Sequence, residues 1–180
     1  MKTMMKIVAA MLIAVMLLMG AAVGETKTYT NPDNDLTFEY DDAVMEISLE
    51  DKTDDELMVI LNGKEDTWGN VFVKIHLADV DEANGKTFPT LEDFAEMEAG
   101  LNTTVTQGDW NGFKDVFNYT VDEGDSMEQV FIVPVCDDDN EVEDILTITV
   151  GIEKTANEEA SLTRDDAISA VLDSLKILVD

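Results

Sequence analysis

Apolar and polar residues alternate strictly along two short segments, residues 36–40 and 45–50. Successive side chains of a β-strand point to opposite faces, so this pattern is typical of a strand with one buried face and one wet face. The sequence therefore predicts a strand in each segment. Because the two segments are close together in the chain, we expect them to pair as a hairpin.

The next two segments with a period of two, residues 56–61 and 71–78, are less polar. Their alternating Leu, Val and Ile residues predict one fully buried face. Met58, Ile60 and Phe72 fall on the opposite face, where a half-buried strand would carry polar residues. The pattern therefore predicts two strands whose second face is also partly covered.

A helical pattern begins after Thr90. Thr90 and Asp93 have the spacing of a capping box, in which side chains accept hydrogen bonds from the free N–H groups of the first turn. Gly100 and Asn102 predict the end of the helix. The apolar residues on one helical face are Leu91, Phe94, Ala95 and Leu101. We expect this face to be buried.

Four further strands are predicted after this helix. They cover residues 103–107, 113–121, 127–135 and 145–152. The turns that follow the first two contain Asn111-Gly112 and Gly124, residues that favour tight hairpins because they adopt positive φ readily. Consecutive strands joined in this way are expected to be antiparallel neighbours. Pro134 has no N–H to donate, so it predicts an edge position or a strand end.

The chain closes with an amphipathic helix. Thr163 is its expected N-cap, and Asp165 and Asp166 lie in the first turn, where the helix dipole favours carboxylates. The apolar stripe consists of Ile168, Val171, Leu172, Leu175 and Leu178. We expect this stripe to lie across the sheet. A free helix that binds a partner or a membrane is the alternative, but its polar face offers only Arg164 and Lys176 as cations for anionic lipid.

This order of elements predicts one α+β domain over residues 25–180, with a predominantly antiparallel sheet flanked by helices. Tyr29 to Tyr40, a tyrosine followed by a polar turn and a strand with alternating aromatic residues, resembles the opening hairpin of the PsbP-like family. Ser174-Leu175-Lys176-Ile177 is similar to that family's closing helix, and the order of elements agrees over residues 27–178. The resemblance implies an α/β/α sandwich that acts by docking onto other proteins, without a shared catalytic motif.

The first 24 residues are predicted to be a cleaved secretory signal peptide. Lys2 and Lys6 form a positive start, an uninterrupted apolar stretch runs from Ile7 to Met19, and Ala22-Val23-Gly24 supplies small residues for the peptidase. An uncleaved anchor helix is the alternative, but the apolar run is shorter than the ~20 residues that usually span a bilayer. We therefore expect a secreted, extracytoplasmic protein with no membrane attachment after cleavage.

The chain is strongly acidic, with 40 Asp and Glu against 11 Lys and Arg and a formal charge of −29 over 180 residues. Nucleic acids and anionic lipids are bound by basic surfaces, so the composition argues against both partners. The acidic residues gather in three predicted turns, residues 50–56, 79–82 and 137–144. A solvated surface of this kind would also keep an exported protein soluble without any ligand.

The sequence lacks the common catalytic motifs, including the nucleophile elbow, the phosphate-binding glycine loop and the zinc-protease helix. His76 is the only imidazole, and alternation places it on the same face as Phe72 and Lys74, so we expect a surface or second-face histidine rather than a general base. Cys136 ends an apolar strand and is expected to be a small buried or edge residue. As the only cysteine it cannot form an intrachain disulfide.

One acidic turn suggests a cation. Its candidate calcium ligands are Asp137, Asp139, Glu141 and Asp144. Hard cations bind about six to eight oxygen atoms from such groups, but this segment lacks the spacing of an EF-hand loop. A specific calcium site, weak diffuse binding and a simply solvated loop are therefore alternatives.

These observations predict a secreted, non-catalytic binding or accessory domain that docks onto another protein or a component of the cell envelope. A cationic protein or peptide is the expected partner, because an acidic surface attracts such ligands over long distances. The alternatives are a calcium-dependent envelope protein that uses its acidic loops and a hydrolase that uses catalytic carboxylates. The oligomeric state is not predicted.

Overall fold

The structure is a computed structural model that describes residues 24–31, 36–80, 90–101, 103–137, 141–154 and 157–178. Within these residues ten strands form two antiparallel sheets, accompanied by two α-helices and one turn of 3-10 helix. The strands are β1 (Thr26–Thr30), β2 (Leu36–Asp41), β3 (Met45–Lys52), β4 (Glu56–Gly63), β5 (Val71–Asp79), β6 (Thr106–Trp110), β7 (Phe113–Asp122), β8 (Ser126–Cys136), β9 (Val142–Glu153) and β10 (Lys176–Ile177). The helices are α1 (Leu91–Ala99), α2 (Glu158–Ser174) and the 3-10 turn Asp66–Trp68. The predicted α+β class with a mainly antiparallel sheet is confirmed.

Over the described residues the larger sheet has seven strands in the order β3-β4-β5-β9-β8-β7-β6. It consists of two meanders, β3 to β5 and β6 to β9, which join where β5 pairs with β9. The predicted hairpin at Asn111-Gly112 is confirmed, and both residues have positive φ, 49° and 86°. The first strand of that hairpin lies closer to the turn than predicted, over Thr106–Trp110 instead of 103–107.

The predicted hairpin between the first two alternating segments is wrong. Those segments form β2 and β3, which belong to different sheets. Both edges of β2 are occupied, by β1 on one side and β10 on the other, so β3 pairs with β4 instead. Between them, the Asp41 carboxylate accepts a hydrogen bond from the N–H of Ala43 at 2.8 Å, and the chain then leaves the smaller sheet to bury Met45 completely.

One face of the larger sheet packs against α2 and the smaller sheet; we call it the α2 face. Its alternating apolar side chains form the main core: Leu57, Val59, Leu61, Val73, Ile75, Val133, Leu146 and Ile148. The smaller sheet and α2 contribute Leu36, Phe38, Ala167, Ile168 and Val171. The indole N–H of buried Trp68 donates to Thr163 Oγ1 at 3.2 Å and ties the 3-10 turn to α2. The fully buried face predicted for β4 and β5 is confirmed.

The opposite face, the α1 face, carries α1. A second core forms there from Phe94, Ala95, Ala99, Phe117, Tyr119, Val130, Ile132 and Ile145. Thr90 caps the helix as predicted, because its hydroxyl accepts a hydrogen bond from the N–H of Asp93 at 3.1 Å. The expectation that Leu101 is buried is wrong: it is 95% exposed, since α1 ends at Ala99 and Gly100, with a φ of 74°, turns the chain away.

The predicted start of the last helix is wrong by more than a turn. The N-cap is Asn157, whose side chain accepts a hydrogen bond from the N–H of Ala160 at 3.1 Å. Thr163 lies inside α2, where its hydroxyl bonds back to the carbonyl of Glu159. Arg164, expected on the polar face, is only 4% exposed. Its guanidinium donates to the carbonyl of Glu153 and to the side chains of Asp165 and Ser161, which satisfies the buried charge.

The predicted end of the last helix is also wrong. The helix stops at Ser174, and Leu175 takes an extended conformation. Lys176 and Ile177 then pair with Thr37 and Leu36 as strand β10, so the segment that is similar to a closing helix is part helix and part strand. Leu178, expected in the apolar stripe, is 41% exposed because it lies beyond this strand.

Pro134 lies near the end of β8, between Val133 and Val135. β7 pairs with β8 only between Met127 and Ile132, and beyond this point β8 pairs with β9 alone. The missing N–H of Pro134 therefore removes no bond to β7. The expectation of a strand-end position is confirmed, although β8 itself is an inner strand.

Candidate functional site

Acidic segments that are distant in sequence meet at one end of the larger sheet. The turn between β3 and β4 carries Asp54 and Asp55, β5 ends at Asp79, and Glu143 and Asp144 are the second and third residues of β9. The N–H of Asp79 donates to the carbonyl of Asp55 at 3.0 Å, and Asp79 lies directly opposite Asp144 in the β5–β9 ladder. We call this end of the sheet the acidic end. Its described carboxylates are Asp54, Asp55, Glu56, Asp79, Asp137, Glu141, Glu143 and Asp144.

Local turn chemistry holds two of these segments in place. In the β3–β4 turn, the Thr53 hydroxyl accepts hydrogen bonds from the N–H groups of Asp55 (3.3 Å) and Glu56 (3.1 Å). In the β8–β9 connection, the Asp137 carboxylate accepts from the N–H of Glu141 at 2.9 Å, and the backbones of the same two residues bond at 2.9 Å. The Thr53 hydroxyl therefore fixes the β3–β4 turn, and the bonds between Asp137 and Glu141 hold the end of β8 beside the start of β9.

The predicted calcium ligands fall at this end. Asp137, Glu141 and Asp144 are described, whereas Asp139 lies outside the described residues. The Asp137 carboxylate is used in closing its own turn. Among the described residues, the structure contains no group of three or more His, Cys, Asp or Glu side chains placed to hold a metal ion. The calcium site stays a prediction.

His76 and Glu56 form a pair beside the acidic end. The Nε2 atom of His76 lies 3.1 Å from Oε2 of Glu56, and the imidazole is 23% exposed. The alternation of β5 places His76 on the same face as Lys74 and Phe72, as expected. The partner of this imidazole is a carboxylate and not a serine or cysteine nucleophile. Cys136 is half-buried at the end of β8, in agreement with its predicted position.

The α1 face is covered by α1 over only half of its width. Leu49, Met58, Ile60 and Phe72 lie on the other half, and neither hydrophobic core of the described residues includes them. The ring of Phe72 lies over Gly151 of the neighbouring strand, where a Cβ atom would come within 2.1 Å of it. We call Leu49, Met58, Ile60 and Phe72, with Lys74 between them, the open half-face. Alternation predicted Met58, Ile60 and Phe72 on a partly covered second face, and the structure has them half-buried. The expectation that Leu49 shares a face with Met45 and Ile47 is wrong, because the irregularity in the β3–β4 register after Ile47 places Leu49 opposite Ile60 on this face.

An open hollow of about 560 Å³ lies at the other end of β7, lined mainly by the hydroxyl and amide groups of Thr103, Thr104, Thr106, Asn118 and Thr120. Its one carboxylate, Asp122, accepts hydrogen bonds from the ammonium of Lys154 at 2.7 Å and the N–H of Gly124 at 2.9 Å. These two bonds hold the pKa of Asp122 below its usual value, and the bond from Lys154 has the larger effect. The carboxylate is thus committed to the β7–β8 turn.

Comparison of the chain with models of known families, with curated proteins and with solved structures yields no match. None of the described helices is long and apolar enough to cross a membrane.

Proposed function

We propose that this chain is a secreted, non-catalytic binding domain with the α/β/α sandwich of the PsbP-like family, exported by a signal peptide over residues 1–24. Its partner is a cationic protein or a cationic component of the cell envelope, bound at the acidic end. The convergence of three acidic segments at one end of the sheet is the observation that supports this most strongly. Calcium-dependent envelope binding through Asp137, Asp139, Glu141 and Asp144 is the alternative proposal, and a carboxylate-based hydrolase is the less favoured one.

The exposed charges at the two ends of the larger sheet support a directional field. At the end opposite the acidic end, Asp122 is paired with Lys154 at 2.7 Å. At the acidic end, Asp54 and Asp55 are exposed carboxylates of the β3–β4 turn, and Glu143 is an exposed carboxylate at the start of β9. Like charges held close together raise the local potential, and a cationic ligand that approaches this end relieves their repulsion. Such attraction mainly increases the association rate and weakens as salt is added.

A matched pair of charge variants tests the proposal. The first replaces Asp54 and Asp55 with Asn and Glu143 with Gln, and the control makes three equivalent changes on α2: Glu159→Gln, Asp166→Asn and Asp173→Asn. Both variants lose the same formal charge, and all six residues are exposed. Binding of a lysine-rich peptide is measured by titration calorimetry at low and high salt.

We expect the unmodified chain to bind the peptide at low salt and to lose most of its affinity at high salt. The acidic-end variant should bind several-fold more weakly than the α2 variant, because its carboxylates lie where the peptide docks. Equal weakening in both variants would mean that the chain responds only to net charge and has no cationic site at this end.

A further inference from the structure

The open half-face consists of apolar side chains that belong to neither core of the described residues. Leu49 is 43% exposed at the edge of the sheet, and Met58, Ile60 and Phe72 are half-buried. Strand pairing places them on a common face, since Leu49 lies opposite Ile60 in the β3–β4 ladder. A sheet face with this composition is normally covered by another layer.

The other half of the α1 face is covered by a layer of this kind, the helix α1. One cross-strand row runs from Leu49 through Ile60, Lys74 and Thr149 to Val130 and Tyr119. Over Val130 and Tyr119 the row is covered by α1, whereas Leu49 and Ile60 belong to neither core of the described residues. Strands are spaced about 4.8 Å apart, so β3, β4, β5 and β9 offer roughly 14 Å of width, enough for one helix of about 10 Å diameter.

Charge indicates what kind of helix would fit. Glu46 and Asp51 lie on this face, since they pair with Asn62 and Met58, and Glu56 reaches it to contact His76. The acidic end borders the half-face on one side. A second copy of this chain, with its formal charge of −29, would bring like charges together, and an anionic membrane would do the same. A cationic surface is the complement.

We propose that the open half-face receives the apolar side of a cationic amphipathic helix, whose Lys and Arg residues lie against the surrounding carboxylates. This partner chemistry rests on the proposed function, because it specifies the shape of the cationic ligand bound beside the acidic end. Leu and similar side chains of the helix would pack on Ile60 and Leu49 in the same way as Phe94 of α1 packs on the covered half. The Lys74 stem contributes apolar surface while its ammonium stays in solvent.

Two synthetic peptides separate shape from charge. Both have the same length and the same Leu and Lys content; in one the leucines follow the i, i+3, i+4, i+7 pattern of an amphipathic helix, and in the other they are scattered. Binding to the full chain is followed by fluorescence anisotropy. We expect the amphipathic peptide to bind about tenfold more tightly, the effect of burying one or two additional apolar side chains.

Two leucine variants test whether the amphipathic peptide binds at the open half-face. Leu49→Ser should reduce the affinity for the amphipathic peptide about tenfold and leave the scattered peptide unchanged. The matched control is Leu162→Ser, which changes a leucine that is 67% exposed on α2. Because Leu49 is an edge residue, its replacement should not prevent folding, and a circular dichroism melt of both variants checks this.

The outcomes distinguish the two proposals. If both peptides bind equally well, the helix-docking inference is overturned while the cationic partner is retained. If neither peptide binds at low salt, both proposals fail. If the amphipathic peptide binds more tightly but Leu162→Ser weakens it as much as Leu49→Ser does, the docking surface is elsewhere and the inference is again overturned.

Discussion

Two isoleucines on the same face of the larger sheet should respond very differently to truncation. Ile60 lies on the open half-face and is half-buried, whereas Ile132 lies beneath α1 and is 0% exposed. Ile60→Ala and Ile132→Ala remove identical atoms from strands of the same sheet. The pair therefore isolates the effect of coverage by a helix.

The expected magnitudes follow from burial. Removing the side chain of Ile132 forfeits its transfer free energy and leaves a cavity against Phe94 and Phe117, which typically costs about 2–5 kcal/mol. Ile60 already borders solvent, so water fills the space and the cavity contribution vanishes. Only part of the transfer free energy is then lost, about 1 kcal/mol. The two variants should differ by at least about 1–2 kcal/mol.

Urea unfolding followed by tryptophan fluorescence measures this difference. Trp68 is buried in the core of the α2 face and reports on global unfolding. With a urea m-value of roughly 1–3 kcal/mol/M, the midpoint of Ile132→Ala should fall well below that of Ile60→Ala at an unchanged m-value. Equal losses in the two variants would refute the reasoning, because they would mean that Ile60 is as closely packed as Ile132 and that the half-face is not open.

Two further predictions concern pH and metal ions. Burial, with smaller contributions from Glu98 and Glu128, raises the pKa of Tyr119 to about 12. Below pH 10 the phenol is neutral in both the folded and the unfolded state, and from pH 10 to 12 only the unfolded chain loses the proton. The stability of the unmodified chain should therefore fall over that range. In a series of alkaline melts, the melting temperature of Tyr119→Phe should fall less. Calcium and magnesium added to metal-free protein should raise the melting temperature equally, as expected if they only screen the acidic end; a rise with calcium alone would instead support a site at Asp137.

Local signals in the sequence predicted the parts of the fold that local forces determine. The apolar alternation of residues 71–78 identified β5, Asn111-Gly112 identified a hairpin turn, and Thr90 identified a helix cap. Apolar alternation did not identify β1, because this strand buries only Tyr29 among five mostly polar residues; the likeness of residues 29–40 to an opening hairpin was the indication of a strand there. Its position depends on pairing with β2 and on the stacking of Tyr29 on Phe38, at 4.8 Å between ring centroids.

The errors in the last helix have a similar cause. Thr163 and Arg164 look like the start of a helix with a polar face, but each makes a tertiary contact that sequence cannot display. Thr163 accepts a hydrogen bond from Trp68, and the guanidinium of Arg164 reaches the carbonyl of Glu153 at 3.1 Å. Asn157 offered a local cap signal that was overlooked.

The sequence identified the acidic segments but did not predict that they lie together at one end of the larger sheet. Residues 50–56, 79–82 and 137–144 could have been distributed around the molecule, and the pairing of β5 with β9 brings Asp79 opposite Asp144. That pairing joins segments more than sixty residues apart, and nothing local specifies it. The open half-face has the same origin, because its width is set by how many strands α1 leaves uncovered.

The edge strand β3 links the acidic end to the open half-face. An exposed edge invites pairing with other chains, and β3 has two features that oppose this: Glu46, Glu50 and Asp51 along its length and an irregularity in its register between Ile47 and Leu49. Anionic strands are therefore repelled at this edge, whereas a cationic segment is attracted. Salt that screens these charges should weaken the protection of the edge and the attraction for a cationic helix together, since the same carboxylates produce both.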